Sequence, residues 1–296
     1  MFFLNTRALP MGGGVGPLKV LDENSRVYQP SDVGAAVRGH DVLLVTHGFN
    51  VNQADGLEKL SNWVKLVDLG STVCVGMLWP GDARWIHVVD YPLEGNEAID
   101  AGNSLAGFLN SYFAAALSLS FASHSLGVRV VLQTIAGLNR TTVRRLLLMA
   151  GAIDNTCLAG EYARAATKVQ SISVLASRSD DVLEWAFPTG NFVSGLFSRG
   201  TPYVHEALGR EGPAEPYPSS GNIHADWQIP DGWNFGHGSY LPPNPLGASP
   251  NRYSPLPYFP PPNMPAPPIY APAALQNNET LWQPAFSAAV QSARWP

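Results

Sequence analysis

Charge is what this chain of 296 residues has least of. Asp, Glu, Lys and Arg together make up 14%, against roughly 25% in an average soluble domain. The 18 Lys and Arg are outnumbered by 23 Asp and Glu, a formal net charge of −5, and no basic cluster occurs. A nucleic acid therefore finds no electrostatic footprint here. Cysteine is scarce too. Cys74 and Cys157 stand among apolar neighbours and read as reduced buried thiols rather than a disulfide. No apolar run approaches the roughly 18 residues of a membrane span. The opening "MFFLNTRALPMGGG" has neither a basic n-region nor a long apolar h-region, so no signal peptide is expected and a cytoplasmic location is the default. Neither a His-x-x-x-His nor a Cys-x-x-Cys pair is found, which leaves no metal site and no cofactor to expect.

What is present becomes regular at Asp41. "DVLLVTHGFN" is an apolar, β-branched run closed by glycine, the pattern of a buried strand and its exit loop. In "QADGLEKLSNWVKLVDLG", Leu57, Leu60, Trp63, Val64 and Val67 repeat at the spacing of one helical face. The alternation continues: "STVCVGMLWPGD" as strand, "NEAIDAGNSLAGFLNSYFAAAL" as helix, "LSLSFA" as strand, a helix from Leu126 to Gly137, "VRRLLLMAGAI" as strand, "LAGEYARAA" as helix and "VQSISVLASRSDD" as strand. Alternating strands and helices predict βαβ units in a mostly parallel central sheet with helices on both faces. Before residue 40 the text is poorly patterned; "FFLNTRAL" reads as an edge strand and "MGGGVG" as a flexible turn.

Residues 185–236 are rich in aromatics, which either wall a pocket or pack over the sheet edge. From Leu241 to Pro272 proline dominates, as in "YFPPPNMPAPP". Such a stretch runs as extended polyproline, so residues 241–296 are expected to form a C-terminal extension to a 1–240 domain. A surface-wrapped tail, a linker or a contact site for a partner all fit it.

The chemistry sits at "FASHSLGVRVV", where an apolar strand meets a small polar knot and a helix starts at once. A nucleophile on a sharp strand-to-helix turn needs small residues two before and two after it, the reason for the G-x-S-x-G pattern. Around Ser125 these are Ser123, a departure from glycine, and Gly127. A hydroxyl also needs a base and a hole for the developing oxyanion. The Leu126 backbone N–H, at the helix start, is one candidate donor. The N–H of Phe49, in "VTHGFN" after the first regular strand, is the other, with His47 and Gly48 supporting that loop. For the acid, Asp180 follows the last regular strand in "ASRSDDVLEW"; Asp154 and Asp181 are alternatives, with helix capping their ordinary role. For the base, His237 between glycines in "FGHGSYL" is favoured over His224. His124, inside the turn, is expected to point away from the site.

Taken together, "VLLVTHGFN", "FASHSLGVRVV", "ASRSDDVL" and "GHGSYL" resemble the oxyanion, nucleophile, acid and histidine segments of the α/β-hydrolase superfamily, in particular its little-characterised bacterial members, over roughly residues 40–240. The resemblance implies an α/β-hydrolase fold and a serine hydrolase with Ser125 as nucleophile, His237 as base and Asp180 as its orienting partner, in the chain order Ser, Asp, His. Only about twenty residues separate "LLLMAGAI" from "VQSISVL", so no large cap domain is expected and an open site for small carboxylic esters is. An amidase, thioesterase or acyltransferase would use the same residues. From another class, a non-catalytic binding protein on the same fold is the competing reading.

Overall fold

A computed structural model describes residues 1–65, 70–82, 91–140, 142–184, 206–214, 223–229 and 236–240. Nine strands form one sheet: β1 (Phe2–Arg7), β2 (Val15–Asp22), β3 (Val27–Tyr28), β4 (Asp41–Thr46), β5 (Val73–Leu78), β6 (Ser118–His124), β7 (Val143–Met149), β8 (Val169–Ser177) and β9 (Ile223–Ile229). Their order is β3-β2-β1-β5-β4-β6-β7-β8-β9. All neighbours from β1 to β9 pair parallel; only the β1–β2 and β2–β3 pairs are antiparallel.

Why these runs become strands is visible in their alternation. Val42 and Leu44 of β4, Phe121 of β6, and Leu146 and Leu148 of β7 face one apolar layer; Leu43, Val45, Ala122 and Leu147 face the other. A strand covered on both faces reads as one continuous apolar run. The first layer is closed by α1 (Pro30–Val37), α3 (Tyr91–Tyr112), α4 (Gly127–Gly137) and α5 (Ala163–Thr167), and the second by α2 (Gln53–Lys65) through Leu57, Leu60 and Trp63. Each fully buried Leu or Phe contributes about 2 kcal/mol of transfer free energy, so the two layers together fix which residue of each strand faces which side.

The N-terminal segment departs from its sequence reading. "FFLNTR" is not an edge strand: β1 lies between β2 and β5, with Phe3 and Leu4 wholly buried. The edge is taken by β3, two residues long, and β2 begins within the stretch read as a flexible turn. Polar Asn5, Thr6 and Arg7 blurred the pattern, and all three are buried as well, each in hydrogen bonds. β9 was also missed in the sequence. The connection from β7 to β8 spans residues 150–168 and holds α5 alone, too short for a large cap. Most of the aromatic segment and the whole 241–296 extension lie outside the described residues. No helix among the described residues is long and apolar enough to cross a membrane.

Candidate active site

β6 ends at His124 and α4 begins at Gly127, so the chain reverses within Ser125 and Leu126. Ser125 has φ +55°, the left-handed region that a side chain other than glycine's rarely adopts. The turn is pinned on both sides: the Ser125 N–H donates to the Met149 carbonyl at 3.0 Å, and the Ser125 carbonyl accepts from Val128 at 3.1 Å and Ala152 at 3.2 Å. Gly127 is required by contact. A Cβ there would lie 2.3 Å from the His47 carbonyl oxygen and 2.9 Å from Thr46 Cγ2. Ser123, in the place of the usual first glycine, is fully buried, with its hydroxyl 3.4 Å from the Leu147 carbonyl.

The loop after β4 presses on this turn. A Cβ at Gly48 would sit 2.7 Å from Ser125 Cβ and 3.2 Å from its Oγ, so glycine lets the loop backbone run beside the hydroxyl. His47 anchors the loop from beneath. Its Nε2 accepts from the Trp79 N–H at 3.4 Å, which leaves the proton on Nδ1 to donate to the Gly48 carbonyl at 2.8 Å. Its own carbonyl accepts from Trp79 Nε1 at 2.9 Å, and the two rings stack. Burial pushes the His47 imidazole down to about 3, so it is a neutral strut. Beyond it, the Arg7 guanidinium, buried at the end of β1, donates to the carbonyls of Val51 (3.1 Å) and Trp79 (2.7 Å) and pairs with Asp82. Among the described residues neither the Phe49 nor the Leu126 N–H donates to another group.

Asp180 and His237 arrive from the far side. Asp180 follows β8, is fully buried, and accepts the Leu183 N–H on Oδ1 at 3.0 Å, capping the helical residues 181–184. Its other oxygen, Oδ2, lies 2.8 Å from His237 Nδ1, and His237 Nε2 lies 2.8 Å from Ser125 Oγ. His237 opens a 3-10 turn, His237–Tyr240, whose last residue packs in the second apolar layer. The carboxylate can only accept, so Nδ1 holds the ring proton and Nε2 faces the hydroxyl as acceptor. Such a relay holds an imidazole in the tautomer that can take a hydroxyl proton.

The other candidates stand elsewhere. Asp154 Oδ1 is occupied by the N–H and hydroxyl of Thr156, at 2.7 and 2.6 Å, in a local turn. Asp181 is exposed. His224 lies on β9 at the level of Ile172 and Ser173, back from the carboxyl rim of the sheet. His124 does not point away from the site, as the sequence reading had it. Its ring lies 4.9 Å from that of His237, and its Nε2 is 2.8 Å from the His237 carbonyl. β6 ends with His124 opposite Met149 of β7, and the side chain meets the turn that carries His237.

A family model described as "Alpha/beta hydrolase of unknown function (DUF900)" matches residues 32–199. Among solved structures, the chain is similar to the ydeN gene product from B. subtilis, at 14% identity over 50% of this chain and 76% of that one, with a TM-score of 0.31. It is also similar to acetyl xylan esterase 1 from Thermoanaerobacterium sp. JW/SL YS485, at 13% identity over 68% of this chain and 70% of that one, with a TM-score of 0.37. No curated protein matches the chain. The family match covers more than half of the sequence and takes in β4 to β8, with Ser125 and Asp180; on that match, the chain belongs to the alpha/beta hydrolase family so described.

Proposed function

We propose that this hydrolase cleaves small carboxylic esters through an acyl-enzyme on Ser125. The observation that carries this reading is the unbroken series Asp180–His237–Ser125, with 2.8 Å at each link. Ser125 Oγ attacks the ester carbonyl as His237 Nε2 takes its proton, and Asp180 stabilises the resulting imidazolium. The carbonyl oxygen, now an oxyanion, receives the N–H groups of Leu126 and Phe49, the first reinforced by the start of α4. Collapse of the tetrahedral intermediate expels the alkoxide, which takes the proton from Nε2 and leaves as the alcohol. Water then attacks the acyl carbonyl, gives a proton to His237, and releases the acid with Ser125 restored.

The short β7–β8 connection holds no large cap, and the His237 ring is 17% accessible beside a buried Ser125, which is compatible with a small ester reaching both groups. Ser125→Ala is the test. Hydrolysis of p-nitrophenyl acetate and labelling by a fluorophosphonate should both fall at least ~1000-fold. Labelling of the variant at the wild-type rate, or a label mapped to another residue, would overturn the reading. Amide and thioester analogues in the same assay separate the neighbouring acyl chemistries.

A further inference from the structure

We propose that His124 is a positioning residue: its Nε2–H clamps the backbone of His237 and so fixes the distance from the base to Ser125. The inference rests on the reading of Ser125 and His237 given above. His124 is the last residue of β6 and directly precedes Ser125. A backbone carbonyl can only accept, so the 2.8 Å contact with the His237 oxygen places the His124 proton on Nε2. The bare Nδ1 faces the loop after β4, 3.0 Å from where a Cβ on Gly48 would stand. One ring therefore touches the serine turn, the loop beside its hydroxyl, and both ends of the base turn, since it also lies 5.9 Å from the Tyr240 ring.

His237 needs such a clamp. It comes from residues far along the chain, on a turn of four residues anchored at its other end by buried Tyr240, and among the described residues its ring makes two hydrogen bonds, with Asp180 and Ser125. Those contacts leave the His237 backbone itself able to pivot between the ring and the anchored end of the turn. The bond at the carbonyl of the same residue removes that freedom. Burial keeps the His124 ring neutral, pushed down to about 3, with the neighbouring His237 acting in the same direction. A neutral ring donates one proton without placing a second cation beside the imidazolium that forms on His237.

The test compares three variants of the full chain. His124→Phe keeps a ring and removes the donor. His124→Gln carries an amide N–H about as far along the side chain as Nε2, whereas His124→Asn reaches only to the level of Nδ1. For fluorophosphonate labelling, the maximal rate should fall about 30-fold in the Phe and Asn variants, with the half-saturating probe concentration within about twofold. The Gln variant should recover to within about fivefold of wild type. In proton NMR, the low-field resonance of His237 Nδ1–H should shift or broaden in the Phe and Asn variants and persist in the Gln variant. Equal rates in the Gln and Asn variants, or an unshifted resonance in both the Phe and Asn variants, would overturn the proposal. Should the Phe variant not fold, the Gln–Asn contrast decides alone. Failure of the wild type to label at all would sink the function proposed above, while the resonance would still decide the role of His124.

Discussion

At the carboxyl ends of β4 and β6, glycines let the backbone pack closely: Gly127 against the His47 carbonyl, Gly48 against the Ser125 side chain. The carboxyl end of β8 and the His237–Tyr240 turn meet from distant parts of the chain: Tyr240 is buried in the second apolar layer, and among the described residues hydrogen bonds to Asp180, Ser125 and His124 hold His237 itself. The serine half is over-determined by sterics; the histidine half is a clamp assembled from distant chain. Steric contact between backbones has no give, so that half should fail by losing the fold. A polar clamp loosens one bond at a time, so the other half should lose activity while the fold stands.

Four measurements press on that difference, from the largest effect to the smallest. Asp180→Asn should cut kcat by about 10⁴-fold by favouring the wrong His237 tautomer. Its melting temperature should change little, because Asn also caps a helix; comparable losses in both would blur the two halves. Gly127→Val should do the reverse and cost about 4 kcal/mol in urea unfolding, since the branched side chain would be driven into the His47 carbonyl.

Acidification is the third. His47 is held at about 3 in the fold and His124 likewise, against roughly 6.5 in the unfolded chain. Above pH ~6.5 neither state carries the proton. Below it the unfolded chain binds protons that the fold refuses, so stability falls with pH, by up to about 1.4 kcal/mol per pH unit for each histidine. The slope of urea stability between pH 6 and 5, where carboxylates scarcely titrate, should be close to halved in His47→Gln. An unchanged slope would mean that His47 is protonated in the fold. The smallest effect is Ser125→Gly, which should raise stability by about 1 kcal/mol by relieving the positive φ at that position, while abolishing labelling. A loss of stability would show that the turn carries no strain.

Much of the fold was legible. The runs "VLLV", "LLLM" and "SISVL" are apolar on both faces, and helical spacing between them made a parallel sheet the only economical arrangement. The strands at either end were not legible. Asn5, Thr6 and Arg7 interrupt the hydrophobic text of β1 yet are buried, because their partners, Gln53, Leu78, Val51, Trp79 and Asp82, come from other elements. β9 reads "IHADWQI", too mixed to stand out, and gains its place by pairing with β8. In the site, the spacing around Ser125 signalled a turn, but nothing in "SHS" told which way His124 faces. That shows only in its contact with a turn more than a hundred residues later.

The linear chain, then, determined much of what is local: which central runs are strands and helices, where the sharp turn falls, and which residue types are on hand for the proposed chemistry. Periodicity and small-residue spacing act over a few residues, and a sequence displays them directly. Tertiary structure alone decided which of two histidines meets Ser125 and which of three aspartates meets that histidine, that an arginine could be buried behind the loop after β4, and that His124 turns inward. Each of these depends on hydrogen bonds and burial between segments brought together by the packing of the sheet, and no short-range pattern records such partners.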